Sequence, residues 1–177
     1  MGEIFSNKNV MHIDTSVKFY QKGDTGIAFK ILNSGAHKGL VLTNQMKRDL
    51  DRQLNADREY AMLYAICIEA LIKNDLKNFD ILVICGDENP LYVKLYLDYL
   101  FSNNPEYHRK NIMSIGNLRM ITGNPKLKSQ ADGIAMVYRK KASKPLYRQQ
   151  RGISLNMINL NYLTIVKKWS ELHNIQK

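Results

Sequence analysis

The run Phe79–Cys85, "FDILVIC", restricts the fold of this 177-residue chain more than any other feature of its sequence. Every residue of the run except Asp80 is apolar. A nearly continuous apolar run of this length is typical of a strand that is covered on both faces. Covering both faces requires helices on each side of a sheet. The sequence therefore predicts an α/β architecture around this strand, and the chain length suits one domain with one core.

Three strands are predicted before this run, and glycine-containing turns separate them. They cover Val10–Phe19, Gly26–Leu32 and Gly39–Thr43. Strands joined by such short turns form an antiparallel meander. A helix is predicted over Asp57–Lys73 from the helical spacing of its apolar residues. The crossover from the meander through this helix to the apolar strand implies a mixed sheet.

Helices and strands are predicted to alternate along the rest of the chain. The predicted elements are a helix at Pro90–Phe101, a fifth strand at Asn111–Ile121, a helix at about Lys126–Lys141 and a last helix at Leu155–Asn174. We therefore expect a domain at 1–142, followed at 143–177 by a basic linker and a C-terminal amphipathic helix.

The last helix carries a sharp apolar stripe whose residues are separated by steps of four and three. The stripe consists of Ile158, Tyr162, Ile165, Trp169 and Leu172. It either packs on the same domain or docks against another protein or a second copy of this chain.

The charge of the chain favours a polyanionic partner. Twenty-six Lys and Arg against sixteen Asp and Glu give a net charge of +10 and a pI of about 9.6. Between Lys126 and Arg151 eight basic residues stand against Asp132 alone, so this stretch holds +7 of the total. Such a stretch is either a solvated helix face or a surface that contacts nucleic acid phosphates, and we favour the second.

The sequence contains no run of 18 apolar residues, so no membrane span is expected. Cys67 and Cys85 both lie in apolar runs, without a metal-type partner at short spacing. We expect both to be buried small hydrophobes and the compartment to be intracellular and reducing.

Four acidic residues are the candidate functional groups. Asp14 lies among Val10, Met11 and Ile13 in the first strand, where a buried carboxylate is costly unless its charge is compensated. Glu59, Asp87 and Asp132 each have a structural explanation as an early-helix acid, a turn residue or a cap. Asp14 has no such structural explanation, because it lies in the middle of a strand.

Together the acids and their surroundings resemble the type I ribonuclease H family over about residues 9–141. "IDTS" supplies Asp14, "NADREYAMLYAICIEAL" supplies Glu59, "GDEN" supplies Asp87 and "GNPKLKSQADGIA" supplies Asp132, the last being the most specific match. The strand "GIAFKI" also resembles the family's second strand. The resemblance implies a ribonuclease H-like fold: a five-stranded mixed sheet, three antiparallel strands then parallel strands, flanked by helices, with a C-terminal helix added here.

The activity that this resemblance implies is hydrolysis of the RNA strand of RNA–DNA hybrids by two-metal-ion catalysis. Two Mg²⁺ or Mn²⁺ ions would be held by Asp14, Glu59, Asp87 and Asp132, with Asp14 bridging them. Divalent ions supply an activated water and neutralise the transition state, and Mg²⁺ prefers carboxylate oxygens. Without metal, four converging acids would repel one another.

The resemblance also implies substrate contacts. Asn55 and Asn89 occupy positions that contact the minor groove of the hybrid in the family, but both could equally be helix caps. The other candidates are Thr15, Ser16, Lys126, Lys128, Arg139 and Lys140. The chain departs from the family in having Thr15 where glycine is usual, and in lacking a histidine between Gly123 and Asp132.

Two alternatives remain open from the sequence. One is a junction-resolving nuclease of the same superfamily, for which the stripe on the last helix could support a dimer. The other is a ribonuclease H-like binding module without catalysis, held in a larger nucleoprotein assembly. Retention of all four acids argues against the second.

Overall fold

The computed structural model of the chain describes residues 7–51, 57–86, 88–143 and 157–174. A five-stranded sheet lies at its centre. Its strands are β1 (Val10–Thr15), β2 (Thr25–Ile31), β3 (His37–Leu42), β4 (Ile81–Ile84) and β5 (Asn111–Ser114). Their order across the sheet is β3-β2-β1-β4-β5.

The sheet is mixed, because β1 pairs antiparallel with β2 and parallel with β4. On one side β2 pairs antiparallel with β3, and on the other β4 pairs parallel with β5. Three antiparallel strands followed by parallel ones is the predicted arrangement, so the ribonuclease H-like fold class is confirmed. The strand at the apolar run "FDILVIC" is β4, which lies between β1 and β5 as its pattern required.

Seven helices flank the sheet in the part of the chain that the structure describes. They are α1 (Asn44–Asp51), α2 (Asp57–Ile72), α3 (Pro90–Leu100), α4 (Pro105–His108), α5 (Ile115–Thr122), α6 (Asp132–Ser143) and α7 (Tyr162–Asn174). A short 3₁₀ turn, Leu76–Asn78, follows α2. None of the helices within the described residues is long and apolar enough to cross a membrane.

The predicted fifth strand, Asn111–Ile121, is wrong over its second half. The strand ends at Ser114, whose hydroxyl accepts a hydrogen bond from the Asn117 N–H and so caps α5. Gly123, with φ of 62°, ends this helix in the left-handed conformation. The pattern of the apolar residues between the two caps favours a strand, whereas Ser114 and Gly123 mark the two ends of a helix.

The other boundaries also shift. α6 begins at Asp132 rather than near Lys126, because Asn124 turns the chain by accepting a hydrogen bond from the Lys126 N–H. α7 begins at Tyr162 rather than Leu155, after Asn161 has accepted a hydrogen bond from the Leu163 N–H. The polar segment before α2 was not predicted to be helical, but part of it forms α1.

The core lies mainly between one face of the sheet and the helices α2, α3 and α7. Ile165, Trp169 and Leu172 of α7 are buried in the same core as Met11 and Ile13 of β1. Ile158 and Tyr162 are partly buried against it. The apolar stripe of the C-terminal helix therefore packs within its own chain, as the first of the two alternatives predicted.

α6 covers the opposite face of the sheet and packs very closely on β2 and β3. A Cβ atom on Gly26 would overlap the Ala135 carbonyl oxygen, and one on Gly39 would overlap the ring of Tyr138. The Tyr138 hydroxyl is also hydrogen-bonded to Nδ1 of His37 on β3, at 3.0 Å. These contacts fix α6, and with it Asp132 at its first turn, against the sheet.

Gly26→Ala is expected to destabilise the protein by about 1–3 kcal/mol, because the added methyl group has no space between β2 and α6. The measurement is the free energy of unfolding from urea denaturation. Gly133→Ala is the matched control: no atom lies within 4 Å of its added Cβ, and alanine favours the helix over glycine by up to about 1 kcal/mol. Equal stability of the two variants would contradict the close packing of α6.

Candidate active site

Asp14 lies where the two central parallel strands end. Asp14 is the last residue but one of β1. Next to it in the strand, the carbonyl of Ile13 accepts from the N–H of Cys85, which directly follows β4, at 2.9 Å. Only 8% of Asp14 is exposed, so its charge is largely removed from water. The Thr15 N–H donates to Asp14 Oδ1 at 2.8 Å and offsets part of that cost. Carboxyl ends of parallel strands are the usual location of ligand sites in α/β sheets.

A cavity of about 490 Å³ opens beside Asp14 and brings it together with Asp132. Two of the four predicted acids, one from β1 and one from the first turn of α6, thus share one cavity. Two basic side chains enter the same space. The lining consists of Asp14, Thr15, Cys85, Gly86, Ile115, Arg119, Lys128, Ser129 and Asp132.

The loop that leads into α6 is tied to the rest of the site by side-chain hydrogen bonds. Arg119 Nε–H donates to the Leu127 carbonyl at 2.9 Å, and the Gln130 N–H donates to His12 Nδ1 at 3.2 Å. The Ser129 hydroxyl accepts from the Ala131 N–H at 3.1 Å, and Ser129 lines the cavity with Cys85. These bonds help to hold Lys128, which lies between Leu127 and Gln130, and Asp132, which follows Gln130 by two residues.

The other titratable groups around Asp14 are neutral at physiological pH. Burial, followed by the charge of Asp14, raises the pKa of Tyr64 well above its usual value, and its hydroxyl donates to the Cys85 carbonyl at 2.7 Å. Burial raises the pKa of Cys85 to about 12, which the Ser129 hydrogen bond opposes. Burial, followed by the charge of Lys30, lowers the pKa of His12 to about 4. Tyr64, Cys85 and His12 therefore add no charge to the surroundings of Asp14.

The oxygen donors of the cavity fit a hard divalent cation. The carboxylates of Asp14 and Asp132 and the hydroxyl of Ser129 are ligands of the kind that Mg²⁺ prefers. Within the described ranges, no three His, Cys, Asp or Glu side chains are grouped so that they could hold a metal ion. Asp87 lies outside the described residues, although it comes two residues after Cys85 in the sequence. The described donors can thus supply part of a coordination sphere.

Glu59 does not line the cavity that Asp14 and Asp132 share. Its side chain is half-buried in the first turn of α2, and two tyrosines of the same helix approach the strand ends. Tyr64 bonds to Cys85, and Tyr60 lines a second cavity of about 640 Å³ together with Gly86.

The predicted substrate-binding residues are distributed over several places. Lys128 and Thr15 line the cavity beside Asp14, whereas Lys126, Arg139 and Lys140 do not. Asn55 lies outside the described residues.

Two of the predicted substrate-binding side chains have structural hydrogen bonds. The Ser16 hydroxyl accepts from the Gly26 N–H at 3.0 Å, which extends the pairing of β1 with β2. The Asn89 side chain caps α3 by accepting from the Leu91 N–H at 3.0 Å, so the capping role left open by the sequence is present. Asn89 also lines the second cavity, with Tyr20, Tyr60 and Glu88.

Sequence reasoning missed three residues of the site: His12, Arg119 and Ser129. His12 carries a detectable signal, because it lies two residues before Asp14 and strand alternation places both on one face. Ser129 precedes Asp132 by three residues, so it had to lie near that acid. Arg119 could not be found, because the segment that carries it was predicted to be a strand and is α5.

Comparisons with known proteins identify no family for the chain. No protein-family profile and no curated protein matches its sequence. A chain in the solved complex of PCNA with RNase HII from Archaeoglobus fulgidus is similar in structure, with a TM-score of 0.46 and 11% sequence identity. The similarity covers 93% of this chain and 90% of that one. A similarity of this size says nothing about activity.

Tyr64→Phe is expected to lower the free energy of unfolding by about 1–2 kcal/mol, because the buried Cys85 carbonyl loses the hydroxyl that donates to it. Chemical denaturation measures this change. Tyr99→Phe removes a hydroxyl from a side chain that is 45% exposed on α3, and should change stability by less than about 0.5 kcal/mol. The role given to Tyr64 is wrong if both variants are as stable as the wild type.

Proposed function

We propose that the protein is a divalent-metal-dependent nuclease that hydrolyses the RNA strand of RNA–DNA hybrids. The observation that carries this proposal is the shared cavity of Asp14 and Asp132 at the carboxyl ends of β1 and β4. It lies in a ribonuclease H-like sheet, in a chain with a net charge of +10. Asp87, which follows β4 in the sequence, is the third acid of the proposed site, and Glu59 the fourth.

The carboxylates of Asp14 and Asp132 would hold the metal, together with Asp87 and Glu59 if the full set of the family resemblance assembles. Two Mg²⁺ or Mn²⁺ ions, when bound there, supply an activated water and neutralise charge that develops at the scissile phosphate. The backbone N–H of Thr15 orients Asp14 from one side. Because Asp14 is largely buried, its attraction for a cation is only weakly screened by water.

Arg119 and Lys128 would bind the substrate's phosphates at the same cavity. The guanidinium of Arg119 is held through its Nε–H on Leu127, which leaves its planar end to contact phosphate oxygens. Lys128 is exposed at the rim. Lys126, Arg139 and Lys140 would extend the positive surface along the loop and α6 and so bind the hybrid backbone away from the cleavage point.

One observation favours the binding module without catalysis as a second candidate. Arg119 and Lys128 already place two positive charges in the cavity of Asp14 and Asp132, so the two acids can be balanced without metal. The junction nuclease gains no such support. The stripe that could have formed its dimer is buried within the chain at Ile165, Trp169 and Leu172.

Asp14→Asn and Asp132→Asn are each expected to lower kcat on an RNA–DNA hybrid by at least about a hundredfold in the presence of Mg²⁺, because each removes a charge that acts on the transition state. The assay compares labelled hybrid, duplex DNA, duplex RNA and four-way junctions. Glu171→Gln, the same chemical change on the exposed face of α7, should keep wild-type kcat. Undiminished cleavage by both aspartate variants would refute the proposal, and symmetric cleavage of junctions in preference to hybrid would favour the junction nuclease.

Mg²⁺ or Mn²⁺ is expected to raise the unfolding temperature of the wild type, because an ion that binds only the folded state stabilises that state. At an ion concentration of a hundred times Kd, the free energy of unfolding rises by about 2.7 kcal/mol. Asp14→Asn should lose most of this increase, and Glu171→Gln should retain it. Differential scanning calorimetry with chelator and with metal makes the comparison. A wild type that neither ion stabilises would support the binding module instead.

A further inference from the structure

His12 is a buried polar residue in a strand that is otherwise apolar up to Asp14. It is fully buried, and strand alternation places it on the same face of β1 as Asp14, two residues away. Its Nδ1 accepts a hydrogen bond from the Gln130 N–H at 3.2 Å. A backbone N–H can only donate, so Nδ1 carries no proton and the neutral ring is protonated at Nε2.

The burial of His12 is unfavourable for stability taken alone. Its Nε2 has no hydrogen-bond partner among the residues that the structure describes, and a buried donor without a partner costs free energy. The neighbours of His12 in β1, Met11 and Ile13, are apolar and fully buried. An apolar residue at position 12 would fill this space without that cost. Unlike such an apolar residue, the imidazole provides an acceptor for the Gln130 N–H.

This bond acts on the loop that carries two residues of the proposed site. Gln130 lies between Lys128 and Asp132, with two residues' spacing on each side. Another hydrogen bond to the loop comes from α5, where Arg119 donates to the Leu127 carbonyl. Among the hydrogen bonds described for the loop, the one that His12 accepts from the Gln130 N–H connects the loop to β1, the strand that carries Asp14. Together with the packing of α6 on β2 and β3, this bond therefore sets the position of Asp132 relative to Asp14.

We propose that His12 is a positioning residue that holds Asp132 and Lys128 at a fixed place relative to Asp14 through its hydrogen bond to Gln130. The inference rests on the proposed function. His12 touches neither the substrate nor the metal in this role.

Three substitutions separate the hydrogen bond from packing. In His12→Asn the side-chain oxygen occupies the position of Nδ1 and can accept from Gln130. In His12→Gln the amide group is one bond further out, at the position of Nε2. His12→Leu fills the space but offers no acceptor. Each variant is purified as the full chain, and its free energy of unfolding, its kcat on hybrid with Mg²⁺ and the hydrogen-exchange rate of the Gln130 amide are measured.

His12→Leu and His12→Gln are expected to lower kcat about tenfold or more, because displacement of a catalytic group by about 1 Å can cost up to a hundredfold. Exchange of the Gln130 amide should become about tenfold faster in both variants. His12→Asn should keep both values near those of the wild type, although its smaller side chain makes it less stable than His12→Leu. A purely structural role predicts the opposite ranking, with kcat following stability.

Wild-type kcat in His12→Leu, or equal losses in the Asn and Gln variants, would overturn the inference. The exchange measurement requires no activity. If the wild type cleaves no substrate, the proposed function fails, and unchanged Gln130 exchange in His12→Leu would then overturn the positioning role separately.

Discussion

The contact between α6 and the sheet determines where the acids of this protein can meet. Asp132 belongs to the first turn of α6, and α6 can approach β2 and β3 only because Gly26 and Gly39 present no side chain to it. With a side chain at either position, the helix would have to move outward by a fraction of an ångström or more. The loop before α6 then holds the helix start against the strand ends, through hydrogen bonds to Arg119 and His12.

The charge of Asp14 is the second constraint, since a buried carboxylate must be compensated within a few ångströms. The structure offers two sources: the Thr15 N–H and the two basic side chains Arg119 and Lys128. The proposed divalent cation would be a third source, held by the oxygen ligands of the same cavity.

The fold was largely predictable from the sequence, because its strands are encoded in short local patterns. The apolar run of β4 and the glycine turns around β2 gave the sheet its order and its mixture of directions. The errors arose where caps decide between helix and strand. In "NIMSIGNLRMI" every apolar position suits a strand, yet the Ser114 cap begins a helix that the Gly123 cap ends. Local hydrogen bonds outweighed the hydrophobic pattern there.

The site was predictable only in part. Asp14 was singled out as an acid inside a predicted strand and Asp132 by the family resemblance of "GNPKLKSQADGIA", and the structure brings the two acids to one cavity. Spacing along the sequence does not fix the direction of the Glu59 side chain, because one residue along a helix turns the side chain by about 100°. The next residue, Tyr60, lines the second cavity, whereas Glu59 does not line the cavity of Asp14 and Asp132. Residues that act through a bond to the backbone of another segment, as His12 does with Gln130, leave no pattern of their own in one sequence.

The asymmetry of the site follows from which helices border it. On the α2 side, Tyr60 and Tyr64 face the strand ends, and the Tyr64 hydroxyl is committed to the Cys85 carbonyl. On the α6 side lie Asp132, Lys128 and Ser129. Among the described residues, Asp14 and Asp132 are the acids that share the cavity at the strand ends. In the proposed metal site, we therefore expect these two acids to contribute more than Glu59, which does not line that cavity.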